Sequence, residues 1–115
     1  MKLSYFYQQL KNATGLPSVY HHWTVGKAPA LPYTVYYVVE RDDMIADDKS
    51  YFKVRSMNIE LYTDSKDEDL EARVESFLNG LGIVPYTSEQ YIDEEKMYEV
   101  IYEFDLEMEK YNGSK

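Results

Sequence analysis

Two adjacent histidines are the first residues whose chemistry has to be weighed. His21 and His22 are the only histidines in the chain, which also lacks cysteine. Imidazole suits general acid–base catalysis near neutral pH and the binding of zinc. The surrounding residues 18–25 are rich in branched and aromatic types and predict a strand, in which neighbouring side chains point to opposite faces. The pair is therefore expected to bind no metal jointly and to have a structural role.

The glutamates of the last predicted strand are a second candidate for catalysis. Glu99 and Glu103 are four residues apart in the sequence, which places them roughly 13 Å apart along a strand. This exceeds the spacing of about 5–9.5 Å between two carboxylates that act on one glycosidic bond. The two residues are interpreted as part of a solvated sheet face or, if the protein forms a ring, as an acidic wall of its lumen.

An aspartate-rich segment at 42–48 could bind a cation, but it lacks the alternating acidic spacing, glycine and distal glutamate of a calcium-binding loop. We expect a solvated hairpin tip there. Its apolar pair, Met44 and Ile45, either folds back on the domain or is offered to a partner, and the partner is favoured. The chain also lacks the glycine-rich phosphate-binding motifs and the zinc deaminase signature. The sequence therefore predicts no metal and no cofactor.

Composition limits the class of protein further. The 115 residues suit a single domain, with a frayed tail expected at about 109–115. The net charge of −9, from 12 basic and 21 acidic residues, argues against specific nucleic-acid binding, which needs clustered Lys and Arg. The lack of cysteine, of a signal peptide and of a membrane-spanning run predicts a soluble protein of a reducing cytoplasm.

Hydrophobic periodicity predicts the elements that position these residues. Helical spacing appears at about 2–14 and again after Ser65, which forms a capping box with Glu68. Strands are predicted at 18–25, 33–39, 51–63, 83–92 and 97–108. The fourth is expected at an edge, since Pro85 cannot donate a ladder hydrogen bond. This order favours an α+β two-layer sandwich, with a mostly antiparallel four- to five-stranded sheet and two helices on one face.

The strands carry more apolar surface than two helices can cover. Residues 33–39 are apolar on both faces, and Tyr36, Tyr62 and Ile101 stand where the alternation leads us to expect polar residues. An uncovered apolar patch of this kind usually marks an interface. The candidate interface residues are Trp23, Tyr33, Tyr36, Met44, Ile45 and Tyr62.

Three segments carry a resemblance to a known family. They are Gly26–Tyr33 (GKAPALPY), which leads into an aromatic strand, Asn58–Asp67 (NIELYTDSKD), which leads into the second helix, and Met97–Phe104 (MYEVIYEF). From about residue 15 to residue 106 the chain resembles the small tail-terminator and head–tail joining proteins of long-tailed phages and prophages of Gram-positive bacteria.

The resemblance implies a virion structural protein without enzymatic activity, catalytic residues or a cofactor. Proteins of this family have an α+β sandwich fold and assemble as a ring, generally of six subunits, on the end of the tail tube. The implied partners are further copies of the chain, the tail-tube protein and the head connector proteins, at the neck of a virion assembled in the host bacterial cytoplasm. DNA would pass through an acidic ring without binding, and Gly26–Pro32 would form a stiff corner near an interface.

Other interpretations stay open at this point. A head-side neck adaptor would need the same ring and the same two end-on surfaces, so the sequence does not separate it from a tail terminator. A small acidic binding module, such as a DNA-mimicking inhibitor, would gather its carboxylates on one surface, whereas many here are spread over a helix cap, a hairpin and alternating strand positions. A small enzyme has only the histidine pair and a few carboxylates to support it.

Overall fold

A sheet of strands paired side by side is the main element of the fold. The computed structural model describes residues 1–41, 44–45 and 50–112, and for 44–45, 50–52 and 109–112 it describes the backbone only. The elements are α1 (Leu3–Thr14), β1 (Ser18–Tyr20), β2 (Tyr33–Arg41), β3 (Met44–Ile45), β4 (Ser50–Thr63), α2 (Glu68–Gly80), β5 (Tyr86–Ile92) and β6 (Met97–Asn112). The strand order is β1-β2-β4-β6-β5, and β3 pairs with β4 off this path.

The sheet is mixed but mostly antiparallel. β1 pairs with β2 in parallel, and the other described pairs are antiparallel. Together with two helices on one face, this confirms the predicted α+β two-layer sandwich. β5 lies at one edge of the sheet, as Pro85 just before it indicated. Neither helix of the described residues is long and apolar enough to cross a membrane.

The core lies between the helices and one face of the sheet. The odd positions from Met57 to Leu61 of β4 and the even positions from Val100 to Leu106 of β6 face the helices, as the alternation of the sequence predicted. The buried cluster comprises Phe6, Leu10, Leu70, Val74 and Leu78 from the helices, and Tyr36, Met57, Ile59, Leu61, Val100, Tyr102, Phe104 and Leu106 from the sheet. Burial of a large apolar side chain contributes about 1.5–3 kcal/mol relative to exposure, so this cluster is the main source of stability.

The second helix begins later than its sequence pattern suggested. Its N-cap is Asp67, whose Oδ1 accepts the backbone N–H of Leu70 at 3.1 Å, and not Ser65. Lys66 forms a salt bridge with Glu89 of β5 at 3.0 Å. This ion pair holds the residues before the helix against the sheet. Asp67 can then cap the helix in place of Ser65, because aspartate is as good an N-cap as serine.

Two strand ends also differ from the sequence prediction. β1 stops at Tyr20 instead of continuing to Val25, because His21 has a φ of 74°, outside the range of a strand residue. β6 continues through Asn112, and its last residues pair with Ser50–Phe52 of β4. Residues 109–112, which were expected in a frayed tail, therefore belong to the sheet, and residues 113–115 lie outside the described part.

Candidate functional site

The sheet face turned away from the helices, called the open face below, carries the side chains that could bind or react. Cross-strand pairing sets these side chains in rows that run over β2, β4, β6 and β5. The rows are Tyr33–Tyr62–Glu99–Gln90, Val35–Glu60–Ile101–Ser88 and Tyr37–Asn58–Glu103–Tyr86. Tyrosines and carboxylates therefore meet as direct or diagonal neighbours, close enough for side-chain hydrogen bonds.

Tyr62 is the centre of a hydrogen-bonded network on this face. Its hydroxyl oxygen lies 2.6 Å from Glu60 Oε1 and 2.8 Å from Glu99 Oε2. Gln90 Nε2 donates to the other oxygen of Glu99 at 2.6 Å, and the Tyr37 hydroxyl donates to Glu60 Oε2 at 2.7 Å. Both carboxylates are thus held by partners from neighbouring strands, and the network links β2, β4, β6 and β5.

Burial and the carboxylates together keep these phenols neutral. The pKa of Tyr62 is raised well above its usual value, by burial first and then by the hydrogen bonds to Glu60 and Glu99. Burial also raises the pKa of Tyr37, with a further contribution from its bond to Glu60. A neutral phenol is a good hydrogen-bond donor. The network is therefore well suited to fixing the strands relative to one another.

The structure corrects the prediction that Glu99 lies on a solvated face. Only 4% of the residue is exposed, because Tyr62 and Gln90 flank it from both neighbouring strands. The alternation does place Glu99 away from the helices, but its neighbours cover it there. Glu103, two rows along, is exposed. The role of both residues as the wall of a lumen stays a prediction.

The structure also corrects the interpretation of Tyr36 as uncovered apolar surface. The residue points to the helices and is 5% exposed, with its ring centroid 5.8 Å from that of Phe6 and 6.0 Å from that of Tyr7. Burial first, and then the neighbouring phenols of Tyr7 and Tyr20, raises the pKa of Tyr36 to about 12. α1 covers Tyr36. The periodicity of the sequence does not predict this contact, because it does not show where a helix crosses the sheet.

A loop covers the start of β2 on the open face. Trp23 packs edge-on against Tyr33, with 5.6 Å between ring centroids, and Tyr33 packs against Tyr62 at 5.3 Å. Tyr33 is buried and Trp23 is partly buried. Gly26 has a φ of 75° in the intervening loop, a conformation that favours glycine. The ring of Tyr33 therefore lies between those of Trp23 and Tyr62 and contacts both. The role of these three residues in an interface between molecules stays a prediction.

The side chains of the other two interface candidates, Met44 and Ile45, lie outside the described part of the structure. So do residues 42–43 and 46–49 of the aspartate-rich segment. The backbone of Met44–Ile45 is described and pairs with Tyr51 and Phe52 of β4. It forms a short strand in a segment that the sequence predicted to be a loop.

Exposed apolar residues that the sequence did not single out lie on two sides of a depression in the open face. Val84 and Tyr86 at the β5 edge, called the Val84 patch below, are exposed by 90% and 71%, and Val39 of β2, on the opposite side, by 59%. They border a shallow depression of about 410 Å³, whose lining also includes Glu103 and Asp105. The apolar residues Val84 and Tyr86 on either side of Pro85, at the start of a predicted edge strand, are the sequence signal that could have found this patch.

The two histidines lie close together, contrary to the sequence prediction. They are not on a strand, because β1 has ended, and their Nδ1 atoms are 3.3 Å apart. Both residues are exposed. Among the residues that the structure describes, no three or more His, Cys, Asp or Glu side chains come together as a metal site.

The fold and the open face define an α+β sandwich whose uncovered side is held by tyrosines and carboxylates. A solved structure has a similar fold: 93% of this chain aligns with 91% of a chain in the virion of a native gene transfer agent (GTA) particle, with a TM-score of 0.55 and 16% sequence identity. At this identity the likeness shows a shared fold. No protein-family model matches the sequence, and no curated protein matches it.

Proposed function

We propose that this chain is a non-enzymatic structural protein of a virion, which assembles as a ring at the end of the tail tube, ends tube polymerisation and forms the head–tail joint. The observation that carries the proposal is the fold shared with a chain of a gene transfer agent virion, since the likeness spans 93% of this chain and 91% of the other. The resemblance of residues 15–106 to tail-terminator and head–tail joining proteins supports the narrower role.

The surfaces available to a neighbouring subunit support assembly. β1 and β5 are the two edges of the sheet, and an unpaired edge strand readily pairs with another chain. The Val84 patch adjoins the β5 edge, so edge and patch form one surface with both backbone hydrogen-bonding groups and apolar side chains. We assign the contact between subunits to this surface, in place of the buried residues Tyr33 and Tyr36.

Trp23 and Tyr62 have a supporting part in this proposal. Trp23 holds the loop before β2 against Tyr33, and Tyr62 holds the network that links the four strands. Both contacts fix the shape of the open face before a partner arrives. A surface that is already ordered loses less conformational entropy on association, which favours assembly.

The polar groups of the open face support a structural role. Glu60 and Glu99 each accept hydrogen bonds from side chains of neighbouring strands, and the phenols beside them are neutral. Catalytic acids and bases normally line a cleft that a substrate can enter. Glu99 instead faces Tyr62 and Gln90, which fill the space where a substrate would have to lie.

The acidic charge of the chain is compatible with a passage for DNA. A net charge of −9 repels phosphates, so that DNA can move through a ring without binding to it. Because Glu99 is covered, we assign the acidic wall to Glu103 and to the exposed Asp105 and Glu107 of the same strand. This strip adjoins the Val84 patch, so it would lie near the junction of two subunits.

Molar mass by light scattering, together with negative-stain images, tests the proposal. We expect the chain, alone or mixed with the tail-tube protein of its particle, to form closed rings with a central hole, and added chain to stop the growth of tubes. A chain that stays monomeric and leaves tube length unchanged contradicts the proposal. A head-side neck adaptor would form rings that bind connector proteins and not tubes.

A further inference from the structure

The backbone at the end of β1 makes an unusual turn. The N–H of His22 donates to the carbonyl oxygen of Tyr20 at 2.9 Å, which closes a three-residue γ-turn, and the central residue His21 has a φ of 74°. A positive φ is unfavourable for a residue with a β-carbon. The N–H of His21 donates to the carbonyl oxygen of Tyr36 at 2.8 Å, so the turn is anchored to β2.

This turn brings the two imidazole rings together. Their Nδ1 atoms are 3.3 Å apart, and the ring planes are nearly perpendicular, at 85° with centroids 5.5 Å apart. The ring of His21 is also flanked by Tyr20 at 6.1 Å and Tyr37 at 5.7 Å. One imidazole is therefore oriented by aromatic neighbours, while both remain open to solvent.

The separation of the two nitrogens matches the bite of a metal chelate. Two imidazoles bound to one tetrahedral ion, at metal–nitrogen distances of about 2.0–2.1 Å, have their nitrogens about 3.3–3.4 Å apart. We propose that His21 and His22 form a two-nitrogen site for a divalent late transition metal, of the zinc, nickel and copper class. The remaining coordination positions are open to water or to a donor from a partner.

Ligand chemistry decides which ions this site accepts. Neutral imidazole nitrogen suits zinc, nickel and copper, whereas calcium and magnesium prefer oxygen ligands. In the metal-free pair one Nδ1 carries the hydrogen that it donates to the other. On binding, that ring changes tautomer through solvent exchange, its hydrogen moves to Nε2, and both Nδ1 lone pairs are free to bind the ion.

The proposal is tested by titrating the full chain with zinc chloride by calorimetry, beside His21→Gln, His22→Gln and the double variant. We expect one ion per chain, and affinity at least about tenfold weaker in each single variant, since even the outer partners of metal ligands contribute that much. Lys27→Gln, in the same loop, is the matched control and should bind as the parent chain does. Equal affinity of the parent and the double variant overturns the proposal, because binding then lies elsewhere, for example at the Met1 amino group.

A second measurement on the parent chain does not depend on the variants folding. We expect added zinc to shift the Nδ1 signals of both histidines together, as observed by nitrogen NMR of the imidazoles. The assignment is simple because the chain has two histidines in all. Signals that stay unchanged at saturating zinc would overturn the proposal. Ring assembly is measured without metal. A chain that does not bind zinc therefore leaves the proposed virion role unaffected, and a chain that does not form rings leaves the proposed metal site unaffected.

Discussion

Tyr62 and Glu99 face each other across β4 and β6, with the phenol oxygen 2.8 Å from the glutamate Oε2. The same phenol lies 2.6 Å from Glu60 Oε1. A phenol has one hydrogen and can donate to one carboxylate at a time, so the two acceptors share a single donor. Substitution of Tyr62 therefore tests directly whether this shared donor stabilises the open face of the sheet.

Removing the Tyr62 hydroxyl should destabilise the fold. We expect Tyr62→Phe to lower the free energy of unfolding by about 1–3 kcal/mol, because the carboxylates of Glu60 and the buried Glu99 lose a donor. Urea denaturation followed by circular dichroism measures the change. Tyr5→Phe removes the hydroxyl of an exposed tyrosine on α1 and should change stability by less than about 0.5 kcal/mol. Equal effects of the two variants would show that the network contributes nothing.

Glu99 can be replaced without loss only by a side chain that keeps its hydrogen bonds. Glu99→Gln retains an oxygen for Gln90 and adds an amide donor for the Tyr62 oxygen, so we expect a loss of no more than about 1 kcal/mol. Glu99→Leu removes the acceptor of the Gln90 amide and one of the two acceptors beside the Tyr62 hydroxyl, and should cost about 1–3 kcal/mol. The same pair of substitutions at the exposed Glu103 is the control, and there the two variants should have similar thermal midpoints. Equal stability of both Glu99 variants would contradict the network.

Alkaline pH should unfold the protein through its buried phenols. The pKa of Tyr36 is about 12 in the fold against 10.0 in the unfolded chain, chiefly because of burial. Since the folded pKa is the higher one, this contribution to stability is complete below pH 10 and is lost as the pH rises towards about 12. Unfolding midpoints measured across this range should fall, and less steeply in Tyr36→Phe. A midpoint that does not change with pH would contradict the assignment.

A substitution in the Val84 patch should affect ring assembly without affecting the stability of the fold. Val84→Glu replaces an exposed apolar side chain with a charged one. We expect the free energy of unfolding to change by less than about 0.5 kcal/mol and ring formation to be lost. Val25→Glu is the matched control, because Val25 is 97% exposed but lies in the loop before β2. Light scattering and tube-capping assays compare the two variants. Rings formed equally well by both would place the subunit contact on another surface.

Much of the fold could be predicted from local pattern. The alternation of β4 and β6 assigned Ile59 and Tyr102 to the helix side and Glu60 and Glu99 to the other, because a strand turns successive side chains to opposite faces whatever its neighbours are. The edge position of β5 followed from Pro85 for the same kind of reason, since a missing N–H is a property of the residue alone.

The candidate site could be predicted less well, because burial depends on residues distant in sequence. Glu99 has the local pattern of a solvated glutamate and is buried only because Tyr62 and Gln90 stand beside it on other strands. Tyr36 is covered by α1, which lies more than twenty residues earlier, a distance that periodicity does not measure.

The sequence by itself determined the class of fold, the faces of the long strands and the acidic character of the chain, since these follow from residue type and spacing. Tertiary structure decided which polar groups are buried, where the exposed apolar patch lies, and how the histidines meet. His21 and His22 would point apart on a strand. They meet because β1 ends at Tyr20 in a turn, closed by the bond from the His22 N–H to the Tyr20 carbonyl oxygen, in which His21 has a positive φ.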